Sequence, residues 1–191
     1  MPKGPFVVVE GPSGSDKPTL FKLALGAYDA DGFTYELEEG ASCAASQVPA
    51  GAFAYVPQDN LLFAGTAREN VAFVAPDAND DQVRRACEAA CAWGFVKELP
   101  RGLDAAIGEH GQGHSQGQLQ RLAIARAVCS GTPIMVLDEV TSALDGKTEA
   151  AVLANIAALP EKTVFVAAHR VKAREFATMR LRVDGGVVSA L

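Results

Sequence analysis

The sequence predicts an α/β protein with a mostly parallel sheet and an inserted helical segment, and three patterns lead to this prediction. Short β-branched and apolar runs typical of buried strands occur in both the first and the last third of the chain. Segments with helical spacing separate these runs, and strands that alternate with helices usually form a parallel sheet. Residues 66–131 keep a helical pattern throughout, which indicates an insertion into that sheet.

The pattern of the N-terminal part predicts a strand, a glycine-rich turn, a helix and then two further strands. Residues 6–9 form the first strand, residues 11–19 the turn, and residues 19–25 a helix. Two more strand-like segments follow at residues 33–37 and 52–56.

The middle and C-terminal parts continue the alternation. Asp80 and Asp81 are expected to cap a helix that ends at residues 100–102. A second helix is expected to begin near Ser115. The C-terminal third predicts a strand, a helix, a strand and a hairpin, at residues 134–137, 147–158, 163–167 and around 184–186.

Composition limits the function classes. The chain has 191 residues, enough for one domain, and a net charge of −6, which argues against a generally basic nucleic-acid-binding surface. Its longest apolar runs are far shorter than the ~20 residues that cross a bilayer. No N-terminal signal peptide is evident, so a cytosolic location is expected. Cys87 and Cys91, four residues apart, could begin a metal site, but packed thiols in a reducing compartment explain them more simply.

The turn at residues 11–19 has the context of a phosphate-binding loop, because it follows a strand and precedes a helix. Gly11, Gly14 and Lys17 fit the template G-x-x-x-x-G-K-[ST]. Such a loop surrounds phosphate with backbone N–H groups, and its lysine neutralises the terminal phosphates. A tight surface turn with one lysine is the alternative.

Two residues of this loop depart from the template. Asp16 replaces a glycine and would repel phosphate by roughly 1–4 kcal/mol at contact distance. Pro18 replaces the hydroxyl residue that normally ligates Mg²⁺, although proline is acceptable in a first helical turn. We therefore expect the fold to survive and the chemistry to be weakened.

A second group of polar residues is expected at the same edge of the sheet. Asp138 and Glu139 follow the apolar strand at 134–137, and His169 follows the strand at 163–167. The first carboxylate could hold Mg²⁺ through water, and the second could orient or deprotonate a water nucleophile. A polar strand end and a structural histidine are the alternatives, and Gln58 alone is unspecific.

Taken in order, these motifs resemble the nucleotide-binding domain of ATP-binding-cassette (ABC) transporters, a P-loop NTPase with a RecA-like core. The resemblance covers nearly the whole chain and is carried by the phosphate loop (11–19), the glutamine loop (55–59), the signature segment (114–118), the Walker B strand (134–139), the dimer-facing loop (142–145) and His169. Residues 63–73 and 107–111 are similar to the exporter-like branch. The resemblance implies a core formed by residues 1–65 and 132–191, with a helical subdomain at 66–131.

The resemblance also implies site roles, with ATP and Mg²⁺ as cofactors. Two domains would dimerise head to tail, and each ATP would lie between one phosphate loop and the other domain's signature segment. Glu139 would act as the base, His169 would contact the γ-phosphate, and Gln58 and Asp138 would serve Mg²⁺. The nucleotide-binding residues would be Gly11, Ser13, Gly14, Ser15, Lys17, Thr19, Asp138, Ser115, Gly117, Gln118 and Asp145.

The partners implied are a second such domain and an exporter-like transmembrane domain, which Glu109 would contact, at the inner face of the cell membrane. No nucleic acid is expected as a partner. His114 and Gln116 depart from the family signature LSGGQ, and the family's leading antiparallel strands would be largely missing.

Three hypotheses remain. The chain is a transporter subunit with weak hydrolysis, an inactive structural or regulatory module, or a DNA-maintenance member of the family. The exporter-like segments disfavour the last.

Overall fold

A computed structural model describes residues 4–12, 14–28, 34–36, 42–44, 47–59, 62–108, 113–167 and 171–191. Its strands are β1 (Phe6–Glu10), β2 (Thr34–Glu36), β3 (Ser42–Ala44), β4 (Phe53–Val56), β5 (Gly65–Thr66), β6 (Ala106–Ile107), β7 (Ile134–Asp138), β8 (Thr163–Ala167), β9 (Met179–Asp184) and β10 (Val187–Ala190). Its α-helices are α1 (Lys17–Ala24), α2 (Ala67–Ala72), α3 (Asp80–Ala89), α4 (Trp93–Val96), α5 (Gln116–Cys129) and α6 (Gly146–Ala157).

The main sheet is mostly parallel and has the strand order β10-β9-β1-β8-β7-β4. Strands β4, β7, β8, β1 and β9 pair in parallel, whereas β10 returns antiparallel along the edge of β9. The predicted hairpin at residues 184–186 is therefore confirmed, as is the predicted α/β class with helices against a mostly parallel sheet.

The parallel register brings the ends of the central strands to one edge of the sheet. Val9 pairs with Ala167, Ala167 pairs with Asp138, and Leu137 pairs with Val56. The loops that follow β1, β4, β7 and β8 consequently begin side by side. In open α/β sheets this edge is where ligands bind.

Apolar side chains cover both faces of the central strands β1, β7 and β8, as is usual for parallel strands that have helices on both sides. On one face, a small cluster joins Val9, Val136 and Val183 to Phe21 of α1. On the other, a larger cluster joins strand residues such as Leu137 to α5, α6 and the helical insertion. Helix α5 packs against both α2 and α3, so it links the insertion to the sheet.

The inserted region differs from the prediction in three details. Helix α3 is capped by Asn79 rather than by Asp80 or Asp81, which occupy its first turn, because the Asn79 side chain accepts from the backbone N–H of Gln82. The helix ends before residues 100–102, since Cys91 adopts a left-handed backbone with φ of 53°. Strands β5 and β6 also pair within a region predicted to be helical.

Strand β3, which pairs with β2, was not predicted from the sequence. Its three residues are too few to show an alternating pattern. Across the described residues, no helix has the length and apolar character needed to cross a membrane.

Candidate functional site

The predicted phosphate loop connects β1 to α1 through two left-handed residues. Gly14 has φ of 79° and Asp16 has φ of 63°, and the backbone N–H of Ser15 closes a turn onto the carbonyl of Pro12 at 3.2 Å. A left-handed backbone favours glycine, but aspartate tolerates it better than most residues. The left-handed turn at residue 16 therefore forms although Asp16 stands where the template has glycine.

Gly11 is required at the base of this loop for reasons of space. A Cβ atom on Gly11 would lie 2.3 Å from the carbonyl oxygen of Val183 and 2.4 Å from Ser15 Oγ. The loop thus leaves β1 pressed against strand β9. Among the described residues, Ser15 Oγ is also a buried side-chain atom with no hydrogen-bond partner.

Lys17 lies beneath the loop, with only 2% of the residue exposed. Its Nζ donates to the carbonyl oxygens of Gly11 and Pro12, both at 3.1 Å. An ammonium group has three N–H donors, so a third is left for an anion. The same side chain therefore braces the loop and can place positive charge where phosphate would lie.

Pro18 occupies the first turn of α1, a position where proline needs no hydrogen-bond partner. The Asp16 side chain makes no capping hydrogen bond at the start of this helix and is exposed. The two departures from the template are therefore compatible with the backbone, as expected, and both residues face the candidate site.

Asp138 and Glu139 stand at the end of β7, as predicted. Asp138 is 4% exposed, and its Oδ2 accepts a hydrogen bond from the Tyr55 hydroxyl at 3.1 Å. Burial raises the pKa of Asp138, while the Tyr55 hydrogen bond and the positive charge of Lys17 oppose that rise. Glu139 has a left-handed backbone, with φ of 54°, and its N–H donates to the carbonyl of Ala167 at 3.3 Å.

A cleft of about 330 Å³ brings these parts together. Its lining is formed by Gly14, Ser15, Asp16, Lys17, Pro18, Thr19 and Glu139. The cleft lies at a helix N-terminus and contains a lysine, a combination that suits a phosphate group. Lys17 also lies close enough to Asp138 to affect its pKa.

The carboxylates of Asp138 and Glu139 could hold Mg²⁺ only if phosphate oxygens supply further ligands. Within the described part of the chain, no group of three or more His, Cys, Asp or Glu side chains could hold a metal ion. Mg²⁺ commonly takes one or two carboxylates plus substrate phosphates, and Asp138 and Glu139 match that requirement. The same finding gives no support to the alternative of a metal site at Cys87 and Cys91.

The predicted signature residues lie outside the lining of this cleft and contact the rest of their own chain. Ser115 and Gln118 form a reciprocal cap at the start of α5, in which each side chain accepts from the other's backbone N–H. Gly117 allows α5 to approach the loop before α6, since a Cβ there would lie 3.0 Å from the carbonyl of Ala143. Asp145 caps α6 by accepting from the N–H groups of residues 147 and 148.

The remaining predicted site residues either lie outside the cleft lining or lie outside the described residues. Gln58 is exposed in the turn after β4 and does not line the cleft. Ser13, Glu109 and His169 lie outside the described residues. Ala167, two positions before His169, ends β8 beside Asp138.

Three contacts near the site were not predicted from the sequence. Tyr55 binds Asp138, and its ring shares a sheet face with that side chain because Tyr55 pairs with Val136. Buried Gln120 joins α5 to the loop before α6 through Ser142 Oγ and the N–H of Ala143. The carboxylate of Glu10, the residue immediately before the phosphate loop, accepts hydrogen bonds from the guanidinium groups of Arg174 and Arg180. Each contact had a weak signal in the sequence. Tyr55 is a polar aromatic residue in an apolar strand, Gln120 is a polar residue on an apolar helix face, and Glu10 is a charged residue at the end of a strand.

Comparison with known proteins connects this geometry to a family. A sequence model described as "ABC transporter" matches residues 1–142. The ATP-dependent lipid A-core flippase of Thiobacillus denitrificans is 41% identical over 187 residues, which cover 96% of this chain and 32% of the flippase. A probable multidrug resistance ABC transporter ATP-binding/permease protein, YheI of Bacillus subtilis, is 38% identical over 98% of this chain and 32% of its own length.

A solved structure supports the same relationship. It is described as a bacterial Atm1-family ABC exporter with ATP bound, and it matches 98% of this chain and 33% of its own with a TM-score of 0.87 and 33% identity. The chain thus spans about one third of the length of these relatives. Because the family model spans most of the chain and these relatives are similar to nearly all of it, the chain belongs to the ABC transporter family.

Proposed function

We propose that this chain is the ATP-binding domain of an exporter-like ABC transporter and couples ATP binding, with impaired hydrolysis, to transmembrane export. The observation that carries the proposal is the cleft that joins Lys17 and the N-terminus of α1 to Glu139, with Asp138 beside it. Its relatives include an ATP-dependent lipid A-core flippase and an ABC exporter, and the region similar to this chain makes up about one third of each.

The residues that line the cleft and those at the neighbouring strand ends have distinct roles in this proposal. The loop at Gly11, Gly14, Ser15 and Thr19 and the helix N-terminus hold phosphate oxygens, and Lys17 neutralises the terminal phosphates. Asp138 and Gln58 would hold Mg²⁺, which when bound offsets the charge on the phosphates. Glu139 orients the attacking water and accepts its proton.

Some assigned roles depend on residues outside the described part or on a second molecule. Ser13 belongs to the loop, and His169 would contact the γ-phosphate. Ser115, Gly117, Gln118 and Asp145 lie away from the cleft, which suits a head-to-tail dimer in which they meet the partner's nucleotide. Their contacts within the chain would then position the surface presented to that partner.

The impairment is proposed from two residues that line the cleft. Asp16 adds negative charge where a phosphate group would lie, at a cost of roughly 1–4 kcal/mol. Pro18 supplies neither a hydroxyl nor a backbone N–H there. The signature residues His114 and Gln116 would weaken the hold on the partner's ATP as well. A module that binds little or no Mg·ATP and acts structurally is the second candidate, favoured by the same two cleft residues.

The proposed transmembrane partner has a suitable surface on this chain. A groove of about 290 Å³ lies between β4 and α5, and Val74 and Arg126 are among the residues that line it. Phe73 and Val74, at 61% and 53% exposure, are large apolar side chains beside it. An apolar surface of this kind suits a cytoplasmic loop of a membrane domain, so we place the chain at the inner face of the membrane. We further propose that the domain consists of a core (residues 1–65 and 132–191) and a helical subdomain (residues 66–131).

Calorimetric titration with Mg·ATP tests the proposal. The unmodified chain should bind, and the double substitution Asp16→Gly with Pro18→Ser should tighten binding more than tenfold, equivalent to about 1.4 kcal/mol. ATP hydrolysis, measured as phosphate release, should rise in the same variant.

The chain offers a matched control in the exposed turn at Pro76 and Asp77. The double substitution Pro76→Ser with Asp77→Gly makes the same chemical change away from the cleft and should leave binding unchanged. Equal affinity before and after the Asp16 and Pro18 change would refute the impairment. Absence of binding in both proteins would favour the structural module.

A further inference from the structure

The hydroxyl of Tyr55, on β4, reaches the Asp138 carboxylate at the end of the neighbouring strand β7. Tyr55 Oη donates to Asp138 Oδ2 at 3.1 Å. Tyr55 pairs with Val136, and side chains two residues apart on a strand share a face, so the tyrosine ring and the Asp138 carboxylate lie on the same side of the sheet. The register of β4 against β7 therefore fixes this contact.

Asp138 needs a donor because it is almost completely buried. A buried carboxylate without hydrogen bonds is costly, so such groups are nearly always paired. Within the described residues, the Tyr55 hydroxyl is the only hydrogen-bond donor that reaches the Asp138 carboxylate. The nearby ammonium of Lys17 is directed instead to the carbonyls of Gly11 and Pro12.

Position 18 lines the same cleft as Glu139, the residue that directly follows Asp138. Pro18 lines the cleft next to Lys17 and Glu139, and it carries no hydroxyl and no N–H. The template for such loops has serine or threonine there. The phosphate loop thus offers no hydroxyl at position 18, and the hydroxyl that reaches Asp138 comes from Tyr55 of β4.

We infer that Tyr55 is a positioning residue that orients Asp138 for Mg²⁺ and supplies, from β4, the hydroxyl that Pro18 has removed from the phosphate loop. This inference rests on the proposed function for its consequence, since orientation of Asp138 matters only if the cleft takes Mg·ATP. The bond to Oδ2 restricts rotation of the carboxylate. It also leaves the other oxygen as the acceptor available to a cation or its water.

The inference predicts that the hydroxyls at positions 55 and 18 are interchangeable. In the chain as it stands, Tyr55→Phe removes the donor and should lower the unfolding temperature by about 3–12 °C. With Pro18→Ser also present, the serine can take over, and Tyr55→Phe should cost less than half as much. Tyr28→Phe removes an exposed tyrosine hydroxyl and should have no effect in either background.

Nucleotide binding provides the second measurement. The affinity for ATP is measured by calorimetry with Mg²⁺ and with EDTA, and their ratio gives the contribution of the metal. Tyr55→Phe should reduce that ratio about tenfold while leaving the affinity in EDTA unchanged, and the Pro18→Ser background should restore it.

The two measurements separate the inference from the function on which it rests. An equal thermal cost of Tyr55→Phe in both backgrounds, or a cost no larger than that of Tyr28→Phe, would overturn the role of Tyr55. A Mg²⁺ contribution that Tyr55→Phe leaves intact would overturn it as well. If the thermal interchange is found and no variant binds ATP, Tyr55 orients Asp138 as inferred and the proposed function fails.

Discussion

Substitution of Gly11 by alanine tests the structural basis of the phosphate loop. The added methyl group would lie 2.3 Å from the carbonyl oxygen of Val183 and 2.4 Å from Ser15 Oγ. Both separations are below 3.0 Å, so the surroundings must move by several tenths of an ångström. Ser15 could rotate, but Val183 is held in β9 between β1 and β10. The loop is therefore expected to yield.

The expected size of the effect follows from overpacking. Forcing a methyl group into a filled site typically costs about 1–3 kcal/mol. For a chain of this length, each kilocalorie lowers the unfolding temperature by about 2–4 °C, so Gly11→Ala should lower it by about 2–12 °C. Because the displaced atoms belong to the loop, ATP binding should weaken as well.

Gly94→Ala is the matched control. Gly94 lies exposed in α4, and a Cβ there has no atom within 4 Å. Alanine in a helix is favoured over glycine by about 0.5–1 kcal/mol, so this variant should be slightly stabilised. Thermal unfolding followed by circular dichroism measures both proteins. If Gly11→Ala had the same unfolding temperature and ATP affinity as the unmodified chain, the loop would not be pressed against β9.

Two further predictions concern titratable groups. The Glu10 carboxylate accepts from Arg180 Nε and Arg174 Nη2, each at 2.9 Å, and the Arg180 hydrogen bond, followed by the charges of both arginines, holds the pKa of Glu10 below its ordinary 4.5 despite burial. The stabilisation that ionised Glu10 provides is thus fully present above about pH 4.5 and is lost as the pH falls through the lowered pKa. Glu10→Gln should therefore lower the free energy of unfolding by about 1 kcal/mol at pH 7 and by progressively less below about pH 4. Urea titrations at several pH values measure this, and a difference independent of pH would contradict it. Burial raises the pKa of Cys87 to about 12, so at pH 8 its thiol should be alkylated far more slowly than after denaturation, as followed by mass spectrometry; equal rates would be contrary evidence.

The parts of this protein that local patterns encode were predicted well. Strand β7 is an unbroken apolar run followed by two acidic residues, and both its position and its placement at the ligand edge follow from that pattern. The loop after β1 was found by its glycines and Lys17. Local patterns failed where the elements are short: β3 has three residues, and the cap of α3 was misplaced by one position since Asn79 and Asp80 are both good cap residues.

The sequence alone determined which chemical groups are present and in what order: a lysine after a glycine-rich turn, two carboxylates after a strand, and a proline and an aspartate where the template has neither. Only the tertiary structure decided which groups meet. The bond between Tyr55 and Asp138 joins residues 83 positions apart and depends on the register of β4 against β7, and the need for glycine at position 11 arises from a carbonyl of β9. Such contacts depend on strand pairing between distant segments, and local residue patterns carry little information about that pairing.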